Sequence, residues 1–402
     1  MRILTAIGPG DVVTAWRDWK KGDRTLSETT ITYSSQEFDF FARHGIPFWA
    51  VSSHGRRERA SDGPNRIENR PRLSPRWLSG VAFHVVHLHY ALSLLASAIR
   101  FRATHALIDS GTTHWFMLCL FRWAGIEPIP NLHNVYWPVG HEPRGRVKRA
   151  VLALDRWVFQ RCIRVALGVS PECGRQVAEL SGGTTRFFDH RIQFSDADFR
   201  TLPRPVRSTP MRIMFAGRIE ADKGVFDILT ICELLAARRP GAFVFDICGG
   251  GGAFEELRAQ VIARGLERMV TLHGKLVRPD LLEVYAASEL VIVPTRSTFC
   301  EGLPGVCAEA VLAGRPVLTS RLSNALDELR GAVIEAREDD PADYAAKIEA
   351  LADDASRYAE LVRGTELVRG QFTNRNRGMK RMLERCLLDT SAPATEPAPL
   401  LD

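Results

Sequence analysis

Short apolar runs alternate with longer amphipathic stretches along most of this chain. Runs at residues 3–7, 47–51, 85–89, 106–108, 128–132 and 165–169 read as buried strands. Between most of them, residues 36–43, 92–100, 115–123 and 146–160 carry apolar positions at helical spacing. Residues 54–76 break the pattern; they are rich in Arg, Pro and Ser and are expected to form a flexible basic loop. Pro203, Pro205 and Pro210 then interrupt the alternation, which restarts beyond them. Strands are predicted at 212–215, 243–248, 270–273, 290–294 and 316–319, with helices at 225–238, 254–264, 280–287 and 305–313. Strands alternating with helices imply parallel sheets covered on both faces. Two such series predict an α/β fold of two Rossmann-like lobes with a cleft between them. The expected divisions are a first lobe over 1–203, a second over 211–370 and a disordered Pro/Ala-rich tail over 391–402.

A chain of 402 residues allows two to three domains at about 150 residues each. With 45% hydrophobic and 25% charged residues, collagen-like, low-complexity and wholly disordered readings are excluded. The net charge of +6 suits an anionic substrate or surface and is too small to argue for nucleic acid. Eight scattered cysteines without a CxxC pair predict reduced core residues, no zinc site and a cytoplasmic setting. The opening residues read as a strand rather than a signal peptide. Residues 78–99 carry no formal charge and are long enough to span a bilayer. Because 84–90 alternate like a strand and 91–99 have helical spacing, a buried strand followed by a packed helix is the expected form.

The densest chemistry follows three strands of the second half, and ligands of open parallel sheets bind at the carboxyl ends of strands. Arg218 follows the first strand, and Lys223 stands just before the next helix; a guanidinium and an ammonium aimed at a helix start suit a diphosphate. Gly249 to Gly252 follow the second strand and allow close backbone approach. After the third come Glu301 and Glu309, on either side of a helix start with Pro304 in its first turn. Eight helical positions span about 12 Å. That exceeds the carboxylate separation of a two-carboxylate glycosidase, about 5 to 9.5 Å, and fits two contacts along one extended ligand. Glu309 lies among Cys307, Ala308, Ala310 and Val311, where an unused acid would be costly.

Gly217-Arg218, Lys223-Gly224, the glycine turn at 248–252 and the two glutamates with seven residues between them resemble the family-4 nucleotide-sugar glycosyltransferases. The resemblance covers about residues 212–320 well and the first lobe in outline. It implies a retaining enzyme of the GT-B fold that moves a hexose-type sugar from a nucleotide-diphosphate sugar to a hydroxyl. The implied acceptor is a glycan or a lipid-linked molecule, and the implied setting is bacterial surface polysaccharide assembly. Arg218 and Lys223 would bind the donor diphosphate, Glu301 the transferred sugar and Glu309 the ribose. Pro304 stands where the family offers an amide-bearing residue, so phosphate contacts would come from Leu303, Gly305 and Val306. Gly250 replaces a common acidic residue of the glycine turn.

In the first lobe the resemblance points to Gly10, in the Gly8-Pro9-Gly10 turn, as facing the donor phosphates, and to His133 as acting beside the transferred sugar. His133 and Glu301 are thus the expected catalytic pair. His87 also ends an expected strand, but is read as a satisfied core histidine. Asp196 and Asp198 form an Asp-x-Asp pair, yet the family places a plain loop there. No metal or other cofactor is expected, the nucleotide sugar being a substrate. Residues 374–390 are expected to form a helix that crosses back to the first lobe.

Residues 144–164 carry Arg144, Arg146, Lys148, Arg149, Arg156, Arg161 and Arg164 against one acid, Asp155, with Val147, Val151, Leu154 and Val158 as a stripe. Such a helix either packs on its own lobe or lies peripherally on the inner face of an anionic membrane. Two other functions use the same fold: a nucleotide-sugar epimerase and a non-catalytic donor-binding subunit. A dinucleotide oxidoreductase fits poorly, because Gly8-Pro9-Gly10 lacks the third glycine of its fingerprint.

Overall fold

A computed structural model describes residues 1–23, 29–72 and 81–389. The first lobe runs β1 (Ile3–Ile7), α1 (Val12–Lys21), β2 (Thr30–Ile31), α2 (Tyr33–Arg43), β3 (Phe48–Ser52), β4 (Glu58–Asp62) and β5 (Asn65–Asn69). It continues with α3 (Val81–Phe101), β6 (His105–Asp109), α4 (Leu118–Trp123), β7 (Glu127–Leu132), α5 (Arg146–Arg161), β8 (Val165–Gly168) and α6 (Pro171–Ser181). β9 (Arg186–Asp189), β10 (Gln193–Phe194) and α7 (Asp196–Phe199) complete it.

The second lobe opens with β11 (Met211–Ala216), α8 (Val225–Arg238), β12 (Phe243–Cys248), α9 (Phe254–Ala263) and β13 (Val270–Gly274). α10 (Arg278–Ala287), β14 (Leu290–Val293), α11 (Gly305–Leu312), β15 (Val317–Thr319) and β16 (Val333–Glu335) follow. α12 (Pro341–Asp353), α13 (Ala355–Val368) and α14 (Met379–Leu387) end the described chain.

The second sheet has the order β13-β12-β11-β14-β15-β16, and each of its pairs is parallel. Its strand order reverses between β11 and β14, which opens a crevice at their carboxyl ends. The first sheet is ordered β4-β5-β3-β1-β6-β7-β8-β9, parallel apart from the β4–β5 hairpin. α1 and α2 bury Val12, Val13, Phe38 and Phe41 against one face, while α3 to α6 bury Leu94, Phe121, Phe159 and Val177 against the other. The architecture is GT-B, two Rossmann-like lobes in series. α14 returns to the first lobe, where Met379, Met382 and Leu383 join the core beside α2. It does so because its apolar positions fall on one face at three- and four-residue spacing.

Three expectations are corrected. Residues 85–89 are not a strand but the interior of α3. His87, Tyr90, Ala91, Leu94, Ser97, Ala98 and Phe101 are its buried positions, a helical period that the Val and aromatic content of 84–90 masked. Accordingly His87 ends no strand; it is buried, with Nδ1 2.9 Å from the Phe83 carbonyl oxygen and Nε2 3.0 Å from Arg72. Residues 58–69 of the expected loop form the β4–β5 hairpin, turned at Gly63 and closed by Arg59–Glu68. Residues 73–76 of that loop, and the tail 391–402, lie outside the described residues.

Candidate functional site

Arg218, Lys223, Glu301, Gly305, Val306 and Glu309 line one cavity of about 360 Å³ at the carboxyl ends of β11, β12 and β14. The chain brings them together because each follows a strand or opens a helix beside the switch point. Gly249, at φ 140°, packs so close to the strand-end loop after β11 that a Cβ there would sit 1.8 Å from the Gly217 carbonyl oxygen. The glycine run therefore lets two strand ends approach and holds the Arg218 loop in place. Gly249 also donates its N–H to the Gly274 carbonyl at 2.8 Å, which draws Lys275 to the cavity wall.

Three cations line the cavity. Lys223 pairs with Glu301, both side chains at most 14% exposed, and lies 4.0 Å from the Phe299 ring centroid. Arg218 lies over the same ring at 5.4 Å, and neither it nor Lys275 has a carboxylate partner among the described residues. Gly305 and Val306 open α11, so their N–H groups and the helix dipole add positive potential beside these cations. Pro304 is the cap of α11 rather than part of its first turn. Glu301 therefore stands in the loop before the helix, and helical rise does not set its distance from Glu309. That corrects the 12 Å argument, which assumed that both carboxylates stand on one helix.

Glu301 accepts a hydrogen bond from Thr295 Oγ1 at 3.3 Å, and its backbone carbonyl accepts from Asn324 Nδ2 at 2.6 Å. Glu309, on the buried face of α11, accepts from Tyr285 Oη at 2.7 Å and from the Thr29 hydroxyl of the first lobe. Burial pushes its carboxyl above the usual carboxylate range, while these two donors pull against that shift.

His133 meets this site from across the cleft. A Cβ on Gly302 would sit 2.1 Å from the His133 carbonyl oxygen, so the loop carrying Glu301 abuts the end of β7. His133 Nε2 lies 3.1 Å from Asp109 Oδ2, and Asn131 Nδ2 donates to Asp109 Oδ1 at 2.8 Å. Behind them, His190 Nε2 lies 2.9 Å from Asn131 Oδ1, and burial holds this imidazole well below its ordinary pKa. The Tyr33 ring lies 4.8 Å from that of His133. A buried carboxylate thus orients a half-exposed imidazole at the cleft.

Two expected contacts are not brought in. Gly10 is exposed and does not line the cavity, and Leu303 packs between the two cores instead. Asp196 is engaged by Arg369 at 3.2 Å and by Arg200. Sequence reasoning missed Asp109, Tyr285, Lys275 and Thr29. Asp109 and Lys275 end or follow strands, so the strand-end rule covers them; nothing local marks Tyr285 or Thr29.

Residues 202–367 match the family model described as glycosyl transferases group 1. A D-inositol 3-phosphate glycosyltransferase from Arthrobacter sp. (strain FB24) is 29% identical over 42% of this chain and 41% of its own length. The chain thus spans about two fifths of that relative. An alpha-D-kanosaminyltransferase from Streptomyces kanamyceticus is 26% identical over 67% of this chain and 71% of its own. Among solved structures, a sucrose-phosphate synthase from Thermosynechococcus elongatus superposes with a TM-score of 0.71 at 15% identity. That superposition covers 96% of this chain and 99% of the other.

Proposed function

We propose that this protein is a retaining glycosyltransferase of family 4 that moves a hexose-type sugar from a nucleotide-diphosphate sugar to a hydroxyl of a glycan or lipid-linked acceptor. The observation that carries the reading is one cavity lined by three cations, two acids and a helix N-terminus. The match of the second lobe to group 1 glycosyl transferases supports it. The donor diphosphate lies against Arg218, Lys223, Lys275 and the N–H groups of Gly305 and Val306. As the bond to the anomeric carbon breaks, these donors hold the charge that builds on the leaving oxygen. Glu301 orients the sugar hydroxyls, Glu309 accepts from the ribose, and the Asp109-oriented His133 faces the sugar from the opposite lobe. The role sits in polysaccharide biosynthesis on the cytoplasmic side.

A thermal-shift panel of nucleotide sugars, followed by product analysis with the stabilising donor, tests the assignment. A true donor raises the melting temperature by mass action, and the product keeps the donor's anomeric configuration. Consumption of donor with no acceptor present would point instead to an epimerase. Because side chains and a helix terminus meet the diphosphate charge, turnover is expected to persist in excess chelator; its abolition would refute that account.

Thr29 sharpens the ribose assignment. Its hydroxyl donates to a Glu309 oxygen that the proposed ribose contact would use. Thr29→Val should remove this competitor and tighten donor binding roughly fivefold, the worth of one hydrogen bond at about 1 kcal/mol. Titration calorimetry reads this directly, and unchanged or weaker affinity would argue against Glu309 as the ribose acceptor.

A further inference from the structure

One side of the first lobe is unusually apolar at its surface. Of the fourteen large hydrophobic residues exposed in the described chain, eight lie on three helices of a single layer. α3 contributes Phe83, Val85, Leu92 and Ile99, α4 Trp123, and α5 Val147, Leu154 and Trp157. The expected stripe on α5 is therefore divided: Val158 is buried in the lobe, whereas Val147 and Leu154 face outward. The helices share one core, and the rings of Trp123 and Trp157 meet at 6.2 Å.

Along α3 the exposed positions are Ala82, Phe83, Val85, His89, Leu92, Ala96, Ile99 and Arg100, a stripe without formal charge until Arg100 in the last turn. α3 is long and apolar enough to cross a membrane. Its inner face, however, is tied into the lobe through Tyr90, Leu94, Ala98 and Phe101. A helix anchored along one face and apolar on the other lies on a bilayer rather than across it.

Positive charge accompanies the apolar residues at two places on the same lobe. A cavity of about 460 Å³ beside the second half of α3 is lined by Trp49, Arg59, Arg66, Glu68, Arg70 and Arg100, among others. Glu68 is shared by Arg59 and Arg70. Arg66 and Arg100 have no carboxylate partner among the described residues, and the buried Trp49 indole N–H has no acceptor. The cavity thus offers donors and uncompensated charge suited to a phosphate. At the second place, residues 144–150 at the start of α5 are all exposed, with Arg144, Arg146, Lys148 and Arg149 among them. The segment between His133 and this helix reaches the second lobe through His141 and Glu338, 2.9 Å apart, so the same surface borders the cleft.

We infer that the α3–α4–α5 face docks on an anionic bilayer, with the α3 stripe and the two tryptophans at the acyl boundary and a lipid phosphate in the arginine cavity. Charge complementarity and the apolar stripe together commit the face to this occupant. The inference extends the membrane contact expected of residues 144–164 to a whole face, and it stands apart from the catalytic reading.

Flotation of the full chain with vesicles of phosphatidylcholine, with and without phosphatidylglycerol, tests it. The wild type should float with the anionic vesicles only, and added salt should weaken the association. Leu92→Glu combined with Ile99→Glu should lower the partition about tenfold or more, since two large apolar side chains are lost from the boundary. Arg66→Ala combined with Arg100→Ala should reduce the preference for phosphatidylglycerol. Both variants are on the surface and should keep the wild-type melting temperature and donor-induced shift. Absence of wild-type flotation would overturn the inference, as would stripe variants that float like the wild type. If inorganic phosphate raises the melting temperature through Arg66 and Arg100 while no vesicle is bound, the cavity serves a soluble anion and the membrane assignment fails.

Discussion

Lys223→Ala should reduce turnover with a nucleotide-sugar donor by about 10²–10³-fold, the range for deleting one preorganised donor to a developing anion. The ammonium is held between the Phe299 ring and Glu301 in the cavity wall, so water cannot replace it in the same place. Its loss acts twice. It removes a cation from the departing diphosphate, and it leaves Glu301, buried at 7% exposure, without its partner. Breaking a buried pair from one side costs about 3–5 kcal/mol, whereas removing both charges costs far less. The double variant Lys223→Ala/Glu301→Gln should therefore recover most of the lost melting temperature and none of the lost turnover. Steady-state kinetics and thermal melts on the three proteins separate the effects. If the single variant turns over normally, Lys223 does not face the leaving group.

Asp155 carries the second large effect, on stability. It lies on the inner side of α5, buried at 6% exposure, and its Oδ1 has no hydrogen-bond partner. Burial pushes its carboxyl up to about 7, although a backbone hydrogen bond near Phe116 opposes this. The unfolded chain titrates the same group near 3.9, so between these values the native state holds the extra proton. Stability therefore falls as pH rises from about 4 to about 7, and the loss is complete above that. A shift of this size is worth at most about 4 kcal/mol. Asp155→Asn cannot ionise, so it should melt on the order of 5–10 °C above the wild type at pH 8 and show a smaller difference near pH 4. Equal melting temperatures at pH 8 would mean that Asp155 is ionised and partnered in solution.

The second lobe was largely legible in the sequence. Strands buried on both faces read as continuous apolar runs, and β12 and α8 fall at the expected residues. The strand-end rule likewise points to Arg218, Lys223, Glu301 and Glu309 from the sequence, and all four line one cavity. The first lobe was less legible. In α3, the β-branched and aromatic residues of 84–90 imitated a strand, and only packing against β1 and its neighbours chose the helix. The β4–β5 hairpin was hidden because β4 is the edge strand and both strands carry charged side chains in place of an apolar run.

By itself the sequence determined the alternation of strands and helices, the division into two series and the residue types at the second lobe's strand ends. Those are local properties, set by periodicity and by turn chemistry within a dozen residues. The tertiary structure alone decided the contacts across the chain: Thr29 on Glu309, 280 positions away; Asp109 on His133; and the outer face shared by α3, α4 and α5. Such contacts depend on how whole layers stack and on which lobe faces which. Periodicity shows that a helix has two faces, and packing decides which one remains in water.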